Sequence, residues 1–159
     1  MRLQVRLLVP LLIAVLGQRH SCSAQEIAVR LIDASNGHVF ANETMNLQFE
    51  DPQSPHYDPL AVKTGTDGVA RFRLPESPPS KFRLWANGFC LCSDVFPVDT
   101  QLVIHEGLVP RCSKPKQGCR CRFGRQVSQL PPTPGEVVLL VRPITGWDKF
   151  WWRLSGKAN

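Results

Sequence analysis

Two short stretches hold the residue types best able to do chemistry. GFCLCSD (88–94) carries Cys90 and Cys92, and CSKPKQGCRC (112–121) carries Cys112, Cys119 and Cys121. Cysteines at this spacing can form a disulfide staple, a thiolate metal site or a redox centre. Side chains at i and i+2 of a strand share a face, so each Cys-x-Cys holds two sulfurs together. If 89–93 and 118–122 pair antiparallel, Cys90 opposes Cys121 and Cys92 opposes Cys119. The pairing of Cys90 with Cys119 and Cys92 with Cys121 is equally allowed by sequence. A bridge closing a loop of about 28 residues contributes about 3–4 kcal/mol in the chain-entropy account. Structural zinc prefers ligand pairs two to four residues apart, while Cu(I) accepts thiolates in looser geometry. A thiol redox centre wants the Cys-x-x-Cys helix start, which is absent here.

The compartment decides among these chemistries. Residues 1–24 have a basic start (Arg2, Arg6), an apolar run from Leu7 to Gly17, and small residues up to Ala24. That order is a cleaved secretory signal, and the apolar run is too short to span a bilayer. The chain is therefore expected to be secreted or periplasmic, where disulfides are the default. Cleavage also removes Cys22, leaving five cysteines, so an odd thiol remains. Cys112 is the candidate for it, and for a covalent dimer. Three of the 19 basic residues leave with the signal and all 13 acids stay, so the mature charge falls to about +3. That weakens any reading based on global attraction to nucleic acid. No second apolar run is long enough to span a membrane.

Period-two alternation dominates residues 25–144. Ile27, Val29 and Leu31 alternate with polar or small residues, as do Met45, Leu47 and Phe49, then Ala70, Phe72 and Leu74, then Phe82 and Leu84. Each run predicts a half-buried strand. Ser35-Asn36-Gly37, Thr66-Asp67-Gly68 and Asn87-Gly88 read as turns. GEVVLLVRP (135–143) predicts a central strand, and LVIH (102–105) a short one. The expected fold is all-β, an antiparallel Greek-key sandwich of about seven strands, with a Cys-rich loop insert at 88–125. Residues 145–159 break the rhythm. Thr145 and Asp148 have the spacing of a capping box. Trp147, Phe150, Trp151 and Leu154 then fall on one face of a short amphipathic helix. Docking of that face on the sandwich is the expected arrangement, because exposed apolar patches are uncommon. The alternative is contact with a membrane interface or a partner.

The runs IAVRLIDASNGHVFANETMNLQF, TGTDGVARFRLP and KFRLWANGF resemble the transthyretin-like sandwich of carboxypeptidase regulatory-like domains. Asp33, Gly37, Asn42, Thr66, Asp67, Gly68, Ala70 and Phe72 carry the resemblance, which spans about residues 26–90. It departs from that family in lacking Pro after Gly37, in the Cys-rich insert and in the aromatic tail. The resemblance implies a largely non-catalytic accessory, adhesive or binding role, and it assigns no site residues.

Arg111, Lys114, Lys116, Arg120, Arg122 and Arg125 fall within 15 residues without an acid. A charge run is commonly a solvated loop, but a stapled loop holds its charges in place and loses less entropy on binding. With Trp147 and Trp151 these residues form the candidate binding set. The expected partner is an acidic glycan, an envelope surface or another protein. Nucleic acid is not expected, since stacking aromatics are not interleaved with the charges. No catalytic motif appears: His38, His56 and His105 are isolated, and no nucleophile elbow, His-Glu-x-x-His or phosphate loop is present. Hydroxyisourate hydrolases end Tyr-Arg-Gly-Ser where this chain ends SGKAN, and intradiol dioxygenases need two Tyr where this chain has only Tyr57. Glu50, Asp51, His56 and Asp58 offer oxygen and imidazole ligands for a hard cation, but the three prolines among them favour a polar hairpin loop. Asn42-Glu43-Thr44 is a glycosylation acceptor in a host that performs the modification. The sequence thus predicts a non-enzymatic, cofactor-free binding protein, stapled at Cys90, Cys92, Cys119 and Cys121. A periplasmic thiolate metal-binding protein is the alternative.

Overall fold

The computed structural model describes residues 25–50, 58–92, 96–110 and 121–154. Residues 1–24, residues 51–57 and most of the basic run lie outside them. The alternating runs become strands as their patterns dictate. They are β1 (Glu26–Asp33), β2 (Thr44–Glu50), β4 (Val69–Arg73) and β5 (Lys81–Ala86). Three further strands, β3 (Leu60–Lys63), β6 (Phe89–Leu91) and β7 (Val98–Asp99), complete the edges, and β8 (Glu136–Pro143) closes the series. The strands form two four-stranded sheets, ordered β4-β1-β8-β6 and β3-β2-β5-β7. Ile27, Val29, Leu31 and Phe72 from the first sheet share one core with Met45, Leu47, Phe82 and Leu84 from the second.

The sequence and the structure differ in three places. β1 and β8 run parallel, with Val29 beside Val137 and Ile32 beside Leu140; every other strand pair is antiparallel. A parallel neighbour needs a long crossover connection, and residues 34–135, with six strands among them, separate β1 from β8. The supposed insert is part of the sheets: β6 is the edge of the first sheet and β7 the edge of the second. Finally, LVIH is not a strand but the middle of helix α1 (Thr100–Glu106). Asp99 caps that helix by accepting a hydrogen bond from the Leu102 amide at 3.0 Å. Thr100 and Val103, three residues apart, are fully buried while Gln101 and Leu102 between them are exposed, which is helical rather than alternating burial. The cap outweighs the strand preference of Val103 and Ile104.

β8 reads as apolar throughout because both its faces are covered. Val137, Leu139 and Val141 enter the core between the sheets. Val138 and Leu140 point the other way, into a second cluster with Ile32, Ala34, Cys92 and Val127. A strand buried on both faces gives a continuous apolar run instead of alternation.

Gly107 ends α1 at φ 76°, donating its N–H to the Val103 carbonyl. A Cβ there would fall 1.9 Å from the Thr133 carbonyl oxygen, whereas Gly88, at φ 83°, has open space around its own. Gly88→Ala is expected to cost about 1–2 kcal/mol, the penalty of the left-handed backbone alone. Gly107→Ala is expected to cost clearly more, because backbone must move as well. Urea unfolding of the two variants checks this; equal midpoints would contradict the close approach.

Candidate functional site

The second cluster positions the cysteines. In the β6–β8 register Cys90 lies beside Arg142 and Leu91 beside Val141. Cys92 continues the strand, and its amide donates to the Leu140 carbonyl at 2.8 Å. Cys90 and Cys92 therefore point to the same outer face of the sheet, and both are buried. Cys92 is bridged to Cys121, 29 residues on, with Cα atoms 5.7 Å apart. Cys90 is disulfide-bonded as well. Cys112 and Cys119 lie outside the described residues. The antiparallel register would have given Cys121 to Cys90 and is not what forms; the other pairing, Cys92 with Cys121, is. The reason is the direction of approach. Cys121 comes over the face of the sheet, packing on the Val138–Leu140 cluster. Ladder register at an edge does not choose its partner. A loop of this length corresponds to about 3–4 kcal/mol of chain-entropy stabilisation, less once another bridge has shortened the free loop.

From Cys121 the chain runs as a strap over that face. The Gly124 amide donates to the Ala34 carbonyl at 2.8 Å, and a 3₁₀ turn at Val127–Gln129 sinks Val127 into the cluster. Arg122 and Arg125 remain exposed on the strap, with Phe123 between them 37% exposed. The strap thus separates its roles by residue. Cys121, Val127 and Leu130 pack inward, and the two arginines face out. Arg111, Lys114, Lys116 and Arg120 lie outside the described residues.

The remainder of the same outer face is a cleft of about 380 Å³ lined by Arg30, Asp67, Val69, Arg71 and Glu136 among others. Its charges are matched internally. Arg30 meets Glu136 at 2.7 Å, and Arg71 meets Asp67 at 3.3 Å and Glu26 at 3.8 Å. The Val69 amide, with Arg71 behind it, holds the Asp67 carboxyl below its ordinary range. Such a cleft carries no standing excess of either charge. Sequence reasoning missed it because the Arg30–Glu136 pair exists only through the parallel β1–β8 register.

The other candidates fall apart. His38 stacks edge-on against Phe40, and His105 sits in the last turn of α1. Glu50 pairs with Arg83 across β2 and β5, while Asp51, His56 and Tyr57 lie outside the described residues. Among the described residues no three His, Cys, Asp or Glu side chains gather as metal ligands.

The C-terminal helix α2 (Gly146–Leu154) forms where its capping box predicts. The Thr145 amide and hydroxyl both donate to Asp148 Oδ2 at 2.7 Å, and the Asp148 amide reaches Thr145 Oγ1 at 3.4 Å. Sequence reasoning missed Arg142, which grips both oxygens of Asp148 at 2.8 and 2.9 Å. This clamp ties the first turn of α2 to the end of β8. The expected docking of the aromatic face is corrected: Trp147 is 69% exposed, Phe150 50% and Leu154 64%. The clamp explains this, since it holds the helix by its polar first turn rather than by its apolar face. Trp147 and Phe150 pack edge-to-face at 5.6 Å. Trp151 lies in the helix, and its side chain is outside the described residues. No helix among the described residues is long and apolar enough to cross a membrane.

Comparison with protein-family models, with curated proteins and with solved structures finds no match to this chain.

The Asp148 carboxyl is held far below the usual carboxylate range, first by the Arg142 guanidinium and then by Thr145. A depressed carboxyl pKa contributes stability that is complete above its unfolded value and fades as pH falls below it. The clamp is therefore expected to be intact at pH 5–8 and to weaken only below about pH 4. Asp148→Asn should remove that acid-side loss and lower the helical circular dichroism at neutral pH. A variant with unchanged helicity and an unchanged acid profile would contradict the clamp.

Proposed function

We propose that this chain is an exported, non-catalytic binding or accessory protein built as a transthyretin-like β-sandwich, which presents a disulfide-stapled basic strap to acidic glycans. The observation that carries the reading is the Cys92–Cys121 bridge, which pins the start of the strap to a buried sheet face while Arg122 and Arg125 stay in solvent. A rigid support lowers the ordering cost of binding, and fixed guanidinium groups suit sulfate or carboxylate groups. Two sheets sharing one core support the sandwich. The leader of residues 1–24 and the oxidised cysteines agree with an oxidising compartment. Oxidised sulfur is no thiolate ligand, so the bridges favour a staple over the thiolate metal-binding alternative.

The test is retention of residues 25–159 on an immobilised sulfated polysaccharide across a salt gradient. The wild-type chain is expected to elute well above 0.15 M salt, roughly the physiological level. Arg122→Ala with Arg125→Ala should elute earlier, as should the chain after reduction. Elution at low salt by the folded wild-type chain, or identical elution of the double variant, would overturn the reading.

A further inference from the structure

Helix α2 is unused by the strap, and its composition is unusual for an exposed element. Trp147, Phe150 and Leu154 lie on one face and all face solvent. Lys149 and Arg153, a turn apart on the polar side, are exposed too. The one acid of the helix, Asp148, is already engaged by Arg142. The exposed surface of α2 is therefore an aromatic–aliphatic face bordered by uncompensated positive charge. That combination, with Trp, Phe and Leu on one side and Lys and Arg on the other, suits the interfacial region of a bilayer. Indole there keeps its ring in the apolar boundary and its N–H in the wet layer. Long cationic side chains reach back to headgroups. A nine-residue helix is only about 14 Å long, so it can lie in the interface but cannot span it.

We propose that α2 is an interfacial anchor that docks this protein on an anionic lipid surface. Charge selects this occupant over a second copy of the chain. A second copy paired through the apolar face would leave Lys149 and Arg153 on the far side, with no exposed acid on the helix to meet them, whereas anionic headgroups can meet both. The clamp supplies the geometry. Arg142 holds the first turn while the apolar face is left outward, so docking requires no rearrangement of the core. This inference does not depend on the basic strap, and the two surfaces fail separately.

The experiment is sedimentation of residues 25–159, the span that holds every described residue, with vesicles of phosphatidylglycerol or of phosphatidylcholine. The chain is expected to sediment with phosphatidylglycerol vesicles and to be released by salt. Trp147→Ser with Phe150→Ser should lower the bound fraction at least about ten-fold. Lys149→Glu with Arg153→Glu should lower partitioning onto phosphatidylglycerol by more than about ten-fold, near five-fold per cation lost. The charge variant should leave the weak phosphatidylcholine binding nearly unchanged. Circular dichroism and urea midpoints establish that both variants keep the folded core. No sedimentation of the folded wild-type chain would overturn the proposal. So would vesicle binding that survives both pairs of substitutions but falls with Arg122→Ala and Arg125→Ala, since the strap would then be the membrane contact. A dimer in light scattering that Trp147→Ser with Phe150→Ser dissolves, without vesicle binding, would assign the face to a second copy.

Discussion

The structure depends on one constraint: β8 is apolar on both faces. A sheet covered on one side only would leave Val138, Leu140 and Ile32 in water. Burying side chains of this kind is worth about 1.5–3 kcal/mol each. The core between the sheets covers only the inner face. The outer face needs a second cover, and the chain supplies it from residues 121–130, with Val127 and Leu130 packing down. The strap has little regular structure of its own beyond a 3₁₀ turn. A covering segment so short on backbone pairing gains most from a covalent tie, and Cys92 lies within the same cluster that needs covering. The bridge and the two-sided strand are thus parts of one arrangement.

That arrangement divides the outer face into two electrostatic regimes. Under the strap the face is dry and the charges sit outside, on Arg122 and Arg125. Beyond the strap the face is open, and Arg30 with Glu136 and Arg71 with Asp67 neutralise one another in the cleft. Arg142 marks the border. It lies beside Cys90 in the register and turns its guanidinium to Asp148, so the end of the same strand that carries the cluster also sets the pose of α2. A single strand therefore links the staple, the strap and the aromatic helix.

Much of the frame was legible in the sequence. The alternating runs gave β1, β2, β4 and β5, and the unbroken apolar run gave β8 its central place. Thr145 and Asp148 announced the last helix. β3 was not legible because its residues are mostly exposed, and β7 because two residues carry no period. α1 hid behind Val103 and Ile104; its signal was Asp99 at the cap and Gly107 at the end. For the site, the cysteines pointed to a staple, but the partner of Cys92 depends on approach over a face, which strand register cannot encode. The outward pose of α2 was illegible because it rests on Arg142, whose role appears only when β8 and the helix meet.

The most direct test of the stapled cover is disulfide mapping of chain prepared without reductant from an oxidising compartment. Trypsin cuts at Arg120 and so separates Cys119 from Cys121; chymotrypsin cuts at Leu91 and so separates Cys90 from Cys92. The expected result is a fragment holding Cys92 linked to the fragment holding Cys121, with neither cysteine open to alkylation before reduction. Cys92 linked to Cys119, or alkylated as a free thiol, would contradict the account. The outer face of β8 would then be covered by something other than a strap fastened at that point.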